Sequence, residues 1–233
     1  MTADLEQLAQ QLAQACRMLA GEHLFDQSGH ITARHPARPE LTLIHPHGTS
    51  SYEVQASDIL VIDSSGTVLE GQDRPPTEFR IHTCIYAARP EVQAIVHAHS
   101  RMATIFGMAG VDLVPVTNYG TFLGSGPVPL YPDPRLVHSE AQGQALASSL
   151  GDKRACIMRN HGTVVVGASV QDAFIGAVHL EENALRQHLA LQIGQPSGYS
   201  AEELADVAAA TGPRQVQKIW DYYVSRARRE GLR

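Results

Sequence analysis

Cysteine is scarce in this chain. Cys16, Cys84 and Cys156 are an odd number, widely separated and without a CxxC pair. That excludes a disulfide framework and fits reduced thiols in the cytoplasm, each acting as a small buried hydrophobe. Long apolar runs are missing too, none approaching the roughly 18 residues that cross a bilayer. The opening residues, Met1-Thr2-Ala3-Asp4-Leu5-Glu6, have neither the basic start nor the apolar stretch of a secretory signal. A cytoplasmic protein without a membrane partner is therefore expected. Positive charge is in short supply, with 18 Lys and Arg against 24 Asp and Glu and a formal net charge of −6. Nucleic acid favours a basic surface and is not an expected partner. The local basic cluster Arg226, Arg228 and Arg229 reads as the solvated last turn of a helix, where cations complement the dipole. No internal repeat or low-complexity tract appears, and the linker-like residues 194–198 are too short and too late to divide the chain. Residues 1–233 are expected to form a single domain.

Histidine, by contrast, is abundant, with twelve in 233 residues. The most informative pair is His97-Ala98-His99. It ends residues 92–96, which alternate polar and apolar side chains as a strand does. Residues i and i+2 of a strand project to one face, so two imidazoles spaced by one small residue can grip a single metal ion. Histidine nitrogen is the common ligand for divalent zinc, manganese, iron and cobalt.

The hydrophobic pattern orders the rest of the chain. Leu5, Leu8, Leu12, Ala15 and Leu19 follow helical spacing, so residues 3–21 are a predicted amphipathic helix with Gly21 as its stop. Short strands are predicted at 30–33, 41–44 and 59–63, the last followed by a hairpin-type turn at Ser64-Ser65-Gly66. A helix is predicted from Glu78 to Ala88, closed by Arg89-Pro90. Ser100 is a candidate cap for a short helix to Phe106. Residues 113–117 look strand-like, and Asp133-Pro134 looks like the start of a helix to about Leu150. Two strands, 155–158 and 163–166, flank the turn Arg159-Asn160-His161-Gly162. Ser169 and Ser200 each open a capping box, the first starting a helix to about Ile193. Pro213 stands near the start of a last helix ending near Arg229. Strands and helices without strict βαβ alternation predict an α/β fold, with a mostly antiparallel or mixed sheet and helices on both sides.

His161 is the candidate third metal ligand. It sits in a tight turn where Gly162 permits unusual backbone angles; the alternative is a turn histidine bonded to its own backbone. Three histidines from two strand ends would leave open positions, the mark of a catalytic metal site. Glu78 and His82 share one helical face at i, i+4. Glu78 is either an acid complementing the helix dipole or a general acid/base, or a ligand when substrate is absent.

These pieces together resemble the class II aldolase/adducin family. The resemblance rests on Pro76-Thr77-Glu78-Phe79-Arg80-Ile81-His82, on the run from Tyr86 through Arg89-Pro90-Glu91-Val92-Gln93-Ala94 to His97-Ala98-His99-Ser100, and on Met158-Arg159-Asn160-His161-Gly162. Gly29-His30-Ile31-Thr32-Ala33-Arg34 and Leu60-Val61-Ile62-Asp63 fall in register with it. It implies a three-layer α/β/α domain with a largely antiparallel sheet, commonly a homotetramer with active sites at subunit interfaces. It implies a divalent metal on His97, His99 and His161 and a catalytic carboxylate at Glu78. It also implies tyrosines near the site, for which Tyr119 and either Tyr222 or Tyr223 are candidates.

The departures bear on substrate. Sugar-phosphate aldolases of the family carry Gly-Asn-x-Ser near the N-terminus and Ser-Ser before the catalytic Glu. Here those motifs read Gly29-His30-Ile31-Thr32 and Pro76-Thr77, and proline offers neither an N–H nor a hydroxyl. The phosphate cradle is degraded. His30 and the Glu78-x-x-x-His82 spacing resemble the decarboxylase branch, whose members act on hydroxylated aromatic dicarboxylates or carboxymuconic semialdehydes. The expected function is a metal-dependent, non-oxidative decarboxylase of a small carboxylic acid such as a dihydroxyphthalate. Glu78, His82 and Tyr119 are its candidate catalytic residues. His30, Thr77 and Arg80 are candidate substrate contacts, with His45 and His47 as further partners for a second carboxylate. The metal is expected to be Mn2+, with Zn2+ also compatible. The alternatives are an aldolase for a hydroxy-carbonyl compound and, from a different class, an interaction module like the adducin relatives.

Overall fold

Apolar spacing and capping residues fix where each helix and strand begins in the computed structural model, which describes residues 3–210 and 213–232. Helix α1 (Ala3–Gly21) turns its apolar stripe inward. Strands β1 (His30–Arg34), β2 (Thr42–Ile44), β3 (Leu60–Ile62) and β4 (Val68–Glu70) follow as an antiparallel meander. The β3–β4 turn is closed by the Asp63 carboxylate, which accepts from the backbone N–H groups of Ser65 and Thr67. Then come α2 (Arg80–Ala88), β5 (Ala94–Ala98), α3 (Arg101–Ala109), β6 (Leu130–Tyr131), α4 (Glu140–Leu150), β7 (Ala155–Met158), β8 (Gly162–Gly167), α5 (Val170–Leu191), α6 (Ala201–Ala210) and α7 (Pro213–Arg229).

The strands form one eight-stranded sheet, ordered β4-β3-β2-β1-β5-β8-β7-β6. All neighbours are antiparallel except β6 and β7. On one face, α1, α3 and α5 pack over Ile31, Val96, Val165 and Ile157, and α7 packs against α1 and α5. On the other, α2 and α4 cover Ile95, Val164, Val166 and Cys156. The expected α/β layering is present. Because strand side chains alternate, Ile95 in the α2 layer puts His97 on that same face. The β1–β5 register sets His30 opposite His97 and Thr32 opposite Ile95. Among the described residues, no helix is long and apolar enough to cross a membrane.

Several local expectations are corrected. Residues 113–117 are not a strand. Their backbone groups bond to α5 side chains: Val114 N–H donates to Gln187 Oε1, and Val116 and Thr117 N–H donate to Asn183 Oδ1. With the ladder bonds taken by side chains, no strand partner is required. Helix α4 starts at Glu140, because Ser139 and Gln142 form the capping box while the Asp133 carboxylate is engaged by Arg135. Ser100 does not cap α3 with its hydroxyl, which bonds Thr163 Oγ1. Glu181 of α5 caps it instead, accepting from Met102 and Ala103 N–H. Helix α2 begins two residues later than expected, leaving Glu78 in the turn before it.

Candidate active site

The site assembles where β5, the β7–β8 turn and the approach to α2 converge. His97 is the penultimate residue of β5 and fully buried, and His99 lies just beyond the strand end. The β5–β8 register draws the 159–162 turn alongside, pairing Ala98 with Thr163. In that turn the left-handed residue is Asn160, at φ 58°. Gly162 serves a different purpose from the one expected: a Cβ there would run into the Ala98 carbonyl oxygen. Its bareness lets β8 close on β5 and carries His161 to the two other histidines.

His97, His99 and His161 each offer a nitrogen within 4.8 Å of the others. The chemistry of their free atoms tests whether a metal fits. His97 Nδ1 is bonded to the Thr163 carbonyl at 3.1 Å, and His99 Nδ1 to Asp26 Oδ2 at 3.1 Å. Their Nε2 atoms are buried without a hydrogen-bond partner among the described residues, as are both nitrogens of His161. Buried polar atoms are ordinarily satisfied. Imidazoles fixed through Nδ1 by a carbonyl or carboxylate, with Nε2 free and converging, are arranged as metal ligands are. Burial, reinforced by the neighbouring imidazoles of His30, His161 and His99, holds His97 well below the usual histidine range, and a neutral imidazole is the ligating form.

Glu78 faces this cluster. Its Oε1 accepts from the Val137 N–H at 2.7 Å. Its Oε2 lies 3.4 Å from His161 Nε2 and 3.8 Å from His97 Nε2. One oxygen is thus tethered while the other points at the ligand set. Glu78, His30 and His97 form a second group able to hold a metal ion, sharing His97 with the first.

The adjoining cavity is about 440 Å³. His30, His45, His47, Thr77, Glu78 and His99 line it, along with the polar loop from Gly48 to Ser51, and among the described residues no Lys or Arg contributes to the wall. Burial and His47 lower His45 to about 4, so it is neutral near neutrality.

The remaining candidates are distributed as follows. His82 is fully buried and does not bond Glu78; its Nε2 is 2.6 Å from His30 Nδ1 and its Nδ1 is 2.8 Å from Thr32 Oγ1. Glu78 precedes α2, so the i, i+4 pairing expected on one helix is not made. Arg80 is not brought to the cavity: it donates to the Ser64 carbonyl and lines a separate cleft between α2 and α4. Tyr119 stacks edge-on against His179 of α5, and Tyr222 and Tyr223 line the same α5–α7 cavity. Sequence reasoning missed Asp26, which lies in a loop remote from His99 along the chain and carries no local signal. It also missed Thr32 and Tyr86, although Tyr86 stands i+4 from His82 and Thr32 stands i+2 from His30.

Comparison with known proteins fits this geometry. The family model described as Class II Aldolase and Adducin N-terminal domain matches residues 10–188. A 3,4-dihydroxyphthalate decarboxylase of Arthrobacter keyseri is 29% identical over 230 residues, 92% of this chain and 92% of its own length. A 5-methylthioribulose-1-phosphate/5-deoxyribulose-1-phosphate aldolase of Rhodospirillum rubrum is 31% identical over 166 residues, covering 71% of this chain and 74% of that protein. Among solved structures, L-fuculose 1-phosphate aldolase from Glaciozyma antarctica PI12 superposes with a TM-score of 0.84 at 28% identity, covering 98% of this chain and 92% of that one.

Proposed function

The chain belongs to the class II aldolase and adducin N-terminal domain family, and from that premise we propose that it is a divalent-metal-dependent carbon–carbon lyase, a non-oxidative decarboxylase of a hydroxylated aromatic dicarboxylate such as 3,4-dihydroxyphthalate. One observation carries this reading. The His97, His99, His161 and Glu78 cluster is intact, while the cavity beside it has Pro76-Thr77 before Glu78, His30 on its wall, and, among the described residues, no Lys or Arg for a phosphate dianion. The similarity to the Arthrobacter decarboxylase, over 92% of both chains, supports it.

Decarboxylation of an ortho-hydroxy acid breaks the ring-to-carboxylate C–C bond. Carbon dioxide leaves, the electron pair moves into the ring and its oxygens, and a proton replaces the lost group on carbon. A divalent ion, Mn2+ by the decarboxylase resemblance and Zn2+ as the alternative, supplies stabilisation of the charge that develops on oxygen. The chain supplies the remainder. Asp26 and the Thr163 carbonyl orient His99 and His97. Glu78, tethered by Val137 N–H, carries the proton through its free Oε2. His30 and Thr77 contact the substrate from the cavity wall. The active form is a homotetramer with interface sites, and Tyr119 is its further catalytic candidate.

Carbon dioxide release from hydroxylated benzene and pyridine dicarboxylates, with Mn2+ or Zn2+ and with a chelator, tests the reaction. Chelator-sensitive release, abolished in His97→Ala, is the expected result. Metal binding with no release across the panel would favour the aldolase reading, which the similarity to the Rhodospirillum aldolase supports.

A further inference from the structure

Beneath the ligand cluster runs a series of buried hydrogen bonds that the reaction as described does not use. His30 Nδ1 is 2.6 Å from His82 Nε2, His82 Nδ1 is 2.8 Å from Thr32 Oγ1, and Thr32 Oγ1 is 2.9 Å from the Tyr86 hydroxyl. Thr32 and His82 are fully buried, and His30 and Tyr86 nearly so. The register explains the series: His30 and Thr32 project from β1 toward α2, which presents His82 and Tyr86 one turn apart.

A neutral imidazole relays the direction, because one ring nitrogen donates and the other accepts. The Thr32 hydroxyl could instead accept from both Tyr86 and His82 Nδ1, but its own proton would then be left without an acceptor among the described residues, which leaves two directions. In one, Tyr86 donates to Thr32, Thr32 donates to His82 Nδ1, and His82 Nε2–H donates to His30 Nδ1. Neutral His30 then carries its proton on Nε2. In the other, every bond reverses, and the Tyr86 hydroxyl must find an acceptor elsewhere. The acceptor in reach is the Gln93 carbonyl at 3.5 Å, outside normal O–H···O range. That carbonyl already accepts the Arg34 N–H at 2.8 Å. Reversal therefore strands a buried hydroxyl donor, whereas the first direction strands only a lone pair, the cheaper deficit.

We infer that Tyr86, Thr32 and His82 are positioning residues that fix the tautomer of His30, so that His30 presents an Nε2–H donor, and not a lone pair, to the metal-facing cavity. Two consequences follow. His30 lies within 4.8 Å of both Glu78 and His97 through its ligating atom, so a lone pair there would make it a fourth imidazole competing for the ion. An N–H excludes that and leaves the open positions to substrate. Resting on the proposed reaction, the same N–H donates to a substrate oxygen on which negative charge accumulates as carbon dioxide departs.

The test reads protons directly. Long-range 1H–15N spectra of the full-length, 15N-histidine-labelled protein loaded with Zn2+ report which ring nitrogen bears the proton. Loss of signals in His30→Gln and in His82→Gln assigns them. The expected result is a proton on Nε2 of both rings. Thr32→Val removes the donor to His82 and should give His30 a mixed pattern, while Thr32→Ser keeps the wild-type one. A wild-type His30 protonated on Nδ1 overturns the inference, as does a Thr32→Val spectrum identical to wild type. With 3,4-dihydroxyphthalate as substrate, Thr32→Val should lower kcat about tenfold with KM nearly unchanged, and Thr32→Ser should restore it. A wild-type protein that releases no carbon dioxide overturns the reaction, not the tautomer, which the spectra judge without substrate.

Discussion

The carboxylate of Asp26 lies 3.1 Å from Nδ1 of His99, although 73 positions separate them in the chain. This bond leaves His99 Nε2 free and turned toward His97 and His161. Carboxylates in that position orient a ligating imidazole and raise its basicity, and their loss weakens metal binding by roughly 10- to 100-fold. Asp26→Ala should therefore weaken Zn2+ or Mn2+ affinity by that factor while the fold is retained. Competition against a chromophoric chelator measures it, and an unchanged affinity would show that the Asp26 bond does not orient a metal ligand.

Removing metal should destabilise the protein. A ligand that binds only the folded state at about 100 times its Kd contributes about 2.7 kcal/mol. For a chain of this length that corresponds to roughly 5–10 °C in Tm. Melting curves with added metal and with a chelator should differ by about this much in wild type. The difference should vanish in His97→Ala.

Gly162→Ala should disturb both fold and site. The added Cβ meets the Ala98 carbonyl oxygen at the β5–β8 contact, where backbone has little room to give. A loss of about 2 kcal/mol is expected. Metal binding should fall as well, because the same displacement moves His161. Denaturant unfolding and metal titration on the one variant separate these effects, and a fully stable Gly162→Ala that binds metal normally would contradict the close approach.

Acid should destabilise the metal-free protein through its buried imidazoles. Burial, with His47 adding to it, lowers His45 from 6.5 to about 4 in the folded state. Between those values the unfolded chain binds a proton that the folded one refuses, so stability falls as pH drops from 6.5 to 4 and is fully present above 6.5. His45 alone accounts for about 3 kcal/mol across that window. Burial pushes His30, His82 and His97 the same way. Unfolding at stepped pH should show this slope, and His45→Gln should flatten it. A slope unchanged by that substitution would mean His45 is solvated.

Where local chemistry set the structure, the sequence was readable. The apolar stripe of α1, the Ser169 and Ser200 caps and the alternation into His97 are short-range patterns, and each formed the element it predicted. Residues 113–117 and 133–139 failed for different reasons. In the first case side chains from a distant helix, Asn183 and Gln187, took the backbone groups a strand would have paired; in the second two local signals competed, and Arg135 engaged Asp133 while the Ser139–Gln142 capping box started the helix.

The candidate site divides along the same line. The spacing of His97 and His99 on one strand, the turn holding His161 and the acid at Glu78 are facts of the chain, because periodicity and motif order carry them. Tertiary structure alone decided that Arg80 faces another cleft, that His82 bonds His30 and not Glu78, and that Asp26 holds His99. It also decided the role of Gly162, whose small size serves a close approach between strands and not its own backbone angle. Hydrogen bonds between residues distant in sequence depend on sheet register and helix packing. Those are set by the burial of the whole core, so no local pattern encodes them.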